Sequence, residues 1–168
     1  AFDHNIAVHF AGITGSGKTA INTLAYSLFY STKVEIPRFN GTRNGFEKIF
    51  AGMRDLPVFI DDANNLADNE RKQAEKMIYD FVNGVGRIRT NKNLDTVKPS
   101  TFYGSLLTSG EHYLTTSNSA GGAKTREMEF NGGKTYIPKE IAVRIYKTTK
   151  KHYGLFLTDW IEFIKSRK

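Results

Sequence analysis

A chain of 168 residues, 39% hydrophobic and 12% aromatic, is long enough for one globular core. Without cysteine it has no disulfide framework and no thiolate nucleophile or metal site, and no apolar run reaches the ~20 residues of a membrane span. A net charge of +7 favours polyanionic partners; from Lys134 onward nine basic residues face three acidic ones, a balance that suits a solvated helix face as well as nucleic acid. With no signal-peptide order at the N-terminus, the expectation is a soluble, cytoplasmic protein without a membrane partner. The start, a few residues before the first strand, suits either a compact enzyme or a core cut from a longer chain.

Residues 5–12, NIAVHFAG, predict a short buried strand. AGITGSGKT follows, with Gly12, four residues, and then Gly17, Lys18 and Thr19, which is the spacing of a phosphate loop between a strand and a helix. In such a loop Thr14, Gly15, Ser16 and Gly17 offer backbone N–H groups to a β-phosphate. Lys18 reaches the β- and γ-phosphates, and the Thr19 hydroxyl holds Mg²⁺. The motif therefore predicts ATP and Mg²⁺ as ligands and leaves open what the energy does. In the helix after it, Ile21, Leu24, Ala25, Leu28 and Phe29 share one face and predict its buried side.

KVEI at 33–36 reads as a second strand and PRFNGTRNG as a loop. Phe46, Ile49, Phe50 and Met53 then recur at helical spacing. LPVFIDDAN is an apolar strand ending in two carboxylates, about forty residues past the loop, where a Walker-B-type site belongs. Asp61 is assigned to the magnesium and Asp62 to the base that orients the attacking water. RKQAEKMIYDFV predicts a helix with an apolar stripe of Ala74, Met77, Ile78, Phe81 and Val82, stopped by Asn83-Gly84.

GVGRIRTNKNLDTVK is polar and basic and reads as a loop or hairpin. Its Arg87, Arg89 and Lys92 form an array able to follow the phosphates of single-stranded nucleic acid, although on this segment alone a solvated loop is the favoured account. FYGSLLTSGE is the next strand, and Thr108, ahead of Ser109, is the candidate hydroxyl for sensing the γ-phosphate or the attacking water, with Glu111 a further contact. A short strand around REMEF and two helices, from PKEIAVRIYK and LFLTDWIEF, complete the chain. Alternating strands and helices predict an α/β fold with a mostly parallel sheet flanked by helices.

Four blocks, AGITGSGKT, FNGTRNGFEKIFAGMRDLPVFIDDAN, MIYDFVNGVGRIR and LLTSGE, together resemble a helicase-like domain family of unknown function. That family is found in prophages and staphylococcal cassette-type mobile elements. It is similar to AAA+ replicative helicases of the MCM type and to superfamily 3 helicases. The resemblance implies that residues 1–168 are one AAA+-like P-loop NTPase core, a piece of a longer chain that hydrolyses ATP as a homo-oligomeric, hexameric ring and moves on single-stranded DNA. It carries over Lys18, Thr19, Asp61, Asp62 and Thr108, adds Arg126 as an arginine finger, and gives the Arg87–Arg89 loop a pore or presensor role. Two departures stand out: the family's Asp-Glu is Asp-Asp here, and its Ser-Thr-Gly-Glu is Thr-Ser-Gly-Glu. Two other functions fit a phosphate loop in a compact domain, a nucleotide-gated DNA clamp with weak hydrolysis and a small-molecule kinase.

Overall fold

The computed structural model describes residues 5–61, 68–90, 96–114, 127–131 and 135–167. Strand β1 spans Ile6–Ala11 and leads through the glycine loop into helix α1, Lys18–Phe29. Helix α2 covers Arg43–Gly52, strand β2 Val58–Ile60 and helix α3 Asp68–Val82. Two short strands follow, β3 at Arg89–Thr90 and β4 at Thr96–Val97, then β5 at Ser105–Gly110 and β6 at Glu127–Asn131. Helices α4, Lys139–Thr149, and α5, Leu155–Ser166, close the chain.

Among the described residues the main sheet has four strands in the order β2-β5-β1-β6, and every pairing is parallel, as the alternation of elements predicts. Because parallel neighbours need long crossovers, their carboxyl ends gather on one edge, where such sheets hold ligands. In register, Ala11 at the end of β1 lies beside Gly110 of β5 and Asn131 of β6, and Ile60 of β2 lies beside Thr108. The glycine loop, Asp61 and the Thr108–Ser109 pair therefore leave the sheet on the same side.

One face of the sheet packs on α2 and α3. The whole predicted stripe of α3 is buried there, with Phe46 and Phe50 of α2 and Ile60 and Leu106 of the sheet. Phe50, Phe81 and Phe102 form its centre, with ring centroids 4.9 Å apart for Phe50–Phe81 and 5.5 Å for Phe50–Phe102. Such edge-to-face packing adds to the stabilisation from buried area. Helix α2 is capped by Thr42, whose hydroxyl accepts from Gly45 N at 3.2 Å, and α3 ends where Gly84 turns at φ +76°.

Two expectations are corrected. KVEI is not a strand: Lys33 and Val34 close a turn from Ser31, with Val34 N bonded to Ser31 O at 3.1 Å, and extended pairing starts only at Arg38, in one parallel bridge to Asp61. Lys33, Val34 and Glu35 are exposed, so a period of four residues carried no buried face to pair with. Helix α1 is also rotated from its apolar prediction: Lys18, Ala20, Asn22 and Ser27 are its buried residues, while Leu24 and Leu28 are 45% and 46% exposed. Lys18 must turn back into the loop, and that fixes the helix phase against hydrophobicity. The basic segment does form a hairpin, with Arg89 opposite Val97. REMEF contributes β6 as an edge strand.

Candidate nucleotide-binding site

The glycine loop is built by backbone conformations that side chains disfavour. Gly15 sits at φ +81° and Gly17 at φ +94°, both left-handed, and a Cβ on Gly17 would lie 2.9 Å from Ile137 Cβ. The close neighbour is the segment before α4: Tyr136 N and Ile137 N both donate to Ser16 O, at 2.7 and 3.2 Å. Tyr136 Oη also donates to Ala11 O at 2.6 Å, so this segment straps the loop from the far end of the chain. Lys18 is buried, and its Nζ donates to Gly12 O at 2.6 Å and Ile13 O at 2.9 Å. Ser16 Oγ is buried and makes no hydrogen bond among the described residues.

Beside the loop opens a cavity of about 520 Å³ lined by Gly15, Gly17, Lys18, Thr19, Ile137, Lys139, Ala142 and Tyr146. A second, of about 340 Å³, shares Thr19 and Tyr146 and reaches Asp61 and Arg38. Tyr146 registers the carboxylate: burial first, and then the charge of Asp61, push its phenol above the ordinary 10.0. Thr19 and Asp61 thus face one space from α1 and the end of β2. Thr14, on the exposed flank of the loop, donates to Glu111 beyond β5.

Strand alternation separates the two hydroxyls of β5. Ser109 donates to Asp61 Oδ1, while Thr108, one residue earlier, lies 2.7 Å from His9 Nδ1 on the opposite face. The Thr108 side chain is therefore directed away from the carboxylate, and the hydroxyl brought to it is that of Ser109. His9 is fully buried in β1, and its Nε2 meets His112 O at 2.9 Å. A carbonyl only accepts, so Nε2 carries the ring proton and Nδ1 accepts a hydrogen bond from the Thr108 hydroxyl. Burial holds this imidazole below its ordinary 6.5, opposed by the His112 carbonyl and Glu129 and assisted by Lys18.

Arg87 and Arg89 of the basic array are tied down rather than free. Glu47, buried on α2, receives Arg87 Nε at 3.2 Å and Arg89 Nη2, and Arg43 Nε lies 3.8 Å away. Arg87 also donates to Asn44 at 2.9 Å. Both hairpin arginines thereby fasten β3 to α2, a structural use beside any contact with nucleic acid. Asp62, Lys92 and Arg126 lie outside the described residues.

Several members of the site escape a reading of the sequence. Asn22, fully buried, donates from Nδ2 to Asp61 Oδ1 at 3.3 Å; its signal is a polar residue four positions after Lys18, on the same helical face. Glu47 shows as a lone acid between Phe46 and Phe50. Nothing local marks Tyr136 and Ile137, which meet the loop only through the fold.

The architecture is that of a parallel α/β domain whose candidate site lies at the carboxyl ends of its strands. The chain belongs to the DUF927 family, a domain of unknown function whose model matches residues 3–101. No curated protein matches it. Among solved structures it is similar to that of "SCCmec type IV Cch - active helicase", with a TM-score of 0.72 and 22% identity over 97% of this chain. The chain spans 29% of that protein's length, and at this identity the likeness is one of fold. Among the described residues no helix is long and apolar enough to cross a membrane.

Proposed function

We propose that this domain is the ATP-hydrolysing, AAA+-like P-loop core of a nucleic-acid motor. One observation carries the reading: a glycine loop with two left-handed residues opens onto a cavity whose Thr19 also faces Asp61, across parallel strand ends. The residues fit the ligands. Ser16 Oγ is an orphaned buried polar atom within the cradle, and the N-terminus of α1 favours negative charge there. Thr19 and Asp61 are hard oxygen donors of the kind magnesium takes alongside phosphate and water.

In this reading Thr19 and Asp61 hold Mg²⁺, which when bound neutralises charge on the β- and γ-phosphates. Lys18 leaves the carbonyls of Gly12 and Ile13 for the phosphates. Asp62 orients water for in-line attack on the γ-phosphorus, and the bond to the β–γ bridging oxygen breaks to give ADP and phosphate. Arg126 of a neighbouring subunit in a hexameric ring steadies the developing charge, and Arg87, Arg89 and Lys92 carry single-stranded DNA. The likeness of fold to an active helicase supports the motor over a kinase.

The test is ATP turnover per protomer across protein concentrations, with and without single-stranded DNA, and Lys18→Ala as the blank. Turnover that rises with both concentration and DNA is expected. Turnover independent of both would point to a self-contained kinase-like site, and nucleotide binding without turnover to a DNA clamp.

A further inference from the structure

We infer that Asn22 and Ser109 are positioning residues that orient Asp61 toward a divalent cation. The inference rests on the nucleotide-binding reading above. Both side chains donate to the same oxygen: Asn22 Nδ2 lies 3.3 Å from Asp61 Oδ1, and Ser109 Oγ bonds to that atom as well. Asn22 and Ser109 are essentially fully buried, and Asp61 is 8% exposed. The carboxylate is thus held by α1 from one side and by β5 from the other.

The amide's orientation follows from chemistry. A carboxylate accepts only, so the amide must present its NH₂ to Asp61, which leaves Oδ1 of Asn22 as the free end. That oxygen is buried and has no hydrogen-bond partner among the described residues, an arrangement that costs stability unless something else uses it. Two donors on Oδ1 of Asp61 leave Oδ2 as the oxygen for a cation or its water, in the cavity that Asp61 shares with Thr19 and Thr23. Outer groups of this kind orient metal ligands, and their loss typically weakens metal binding ~10–100-fold.

The experiment measures Mn²⁺ binding by electron paramagnetic resonance, with a non-hydrolysable ATP analogue present, in the whole chain and in Asn22→Leu, Ser109→Ala and Ser109→Thr. Nucleotide affinity without metal and the urea midpoint are measured in parallel. Asn22→Leu and Ser109→Ala are expected to weaken Mn²⁺ about ten-fold each with metal-free nucleotide affinity unchanged, and Ser109→Thr, which keeps the hydroxyl, to restore it. Mn²⁺ affinity equal to the parent in folded variants overturns the inference. Loss of metal-free nucleotide affinity in step with Mn²⁺ also overturns it, because the residues would then be supporting the loop. A parent chain that binds neither the analogue nor Mn²⁺ with it would instead refute the nucleotide reading itself.

Discussion

Glu47 offers the sharpest test of how the hairpin is held. Its carboxylate is buried beneath three arginines, with Arg87 at 3.2 Å, Arg43 at 3.8 Å and Arg89 in direct contact. Removing one partner of a buried ion pair costs ~3–5 kcal/mol, because the remaining charge is left uncompensated. Here the side chains of Arg43, Arg87 and Arg89 are 20%, 43% and 38% exposed, so water takes up part of the loss. Discounted for that screening, Glu47→Gln is expected to destabilise the domain by about 2 kcal/mol. With a urea slope of ~2 kcal/mol per M, the unfolding midpoint falls by about 1 M. The same variant separates structure from DNA contact, because it loosens the clamp and keeps every cation. If Arg87 and Arg89 carry phosphates, Glu47→Gln retains single-strand affinity, whereas Arg87→Ala with Arg89→Ala lowers both affinity and its salt dependence. A midpoint within ~0.2 M of the parent would refute the clamp, since that is a surface-substitution effect.

Three further outcomes follow from the geometry. Gly17→Ala forces an alanine to φ +94° and drives its Cβ to 2.9 Å from Ile137; a loss of at least ~1–2 kcal/mol and of nucleotide affinity is expected by thermal melting and calorimetry. Phe81→Ala removes the ring at the centre of the aromatic core, at ~3–5 kcal/mol, read by chemical denaturation with no change in a loop-bound ligand's contacts. Burial first, then the charges of Glu129 and Glu75, push the Glu127 carboxyl up to about 8 from 4.5. The folded state holds this proton where the unfolded state has lost it. The associated stability is therefore full below pH 4.5 and is lost as pH rises to about 8. In Glu127→Gln that portion of the slope in melting temperature against pH disappears; an unchanged slope would show that Glu127 titrates normally.

Local pattern was enough for much of this domain. The loop announced itself because its glycines are required by backbone geometry at Gly15 and Gly17, which no other residue adopts as cheaply. The α3 stripe was legible because every one of its apolar residues meets the core, so period and burial coincide. Asp61 was placed at a strand end by the apolar run before it, and the parallel sheet followed from the alternation of elements.

What depended on tertiary structure was the identity of each partner. Helix α1 defied its hydrophobic pattern because Lys18 fixes its rotation and brings Asn22, not Leu24, inward. Adjacent hydroxyls of β5 look interchangeable in sequence, yet strand alternation sends Thr108 to His9 and Ser109 to Asp61. The arginines of the basic hairpin found a buried acid forty residues away in the chain, a pairing that charge count cannot foresee. Sequence determined which residue types stood at the ends of strands and turns, since those obey local geometry. Which of them touch was decided by the sheet, because contacts between residues far apart in the chain exist only once the strands have taken their order.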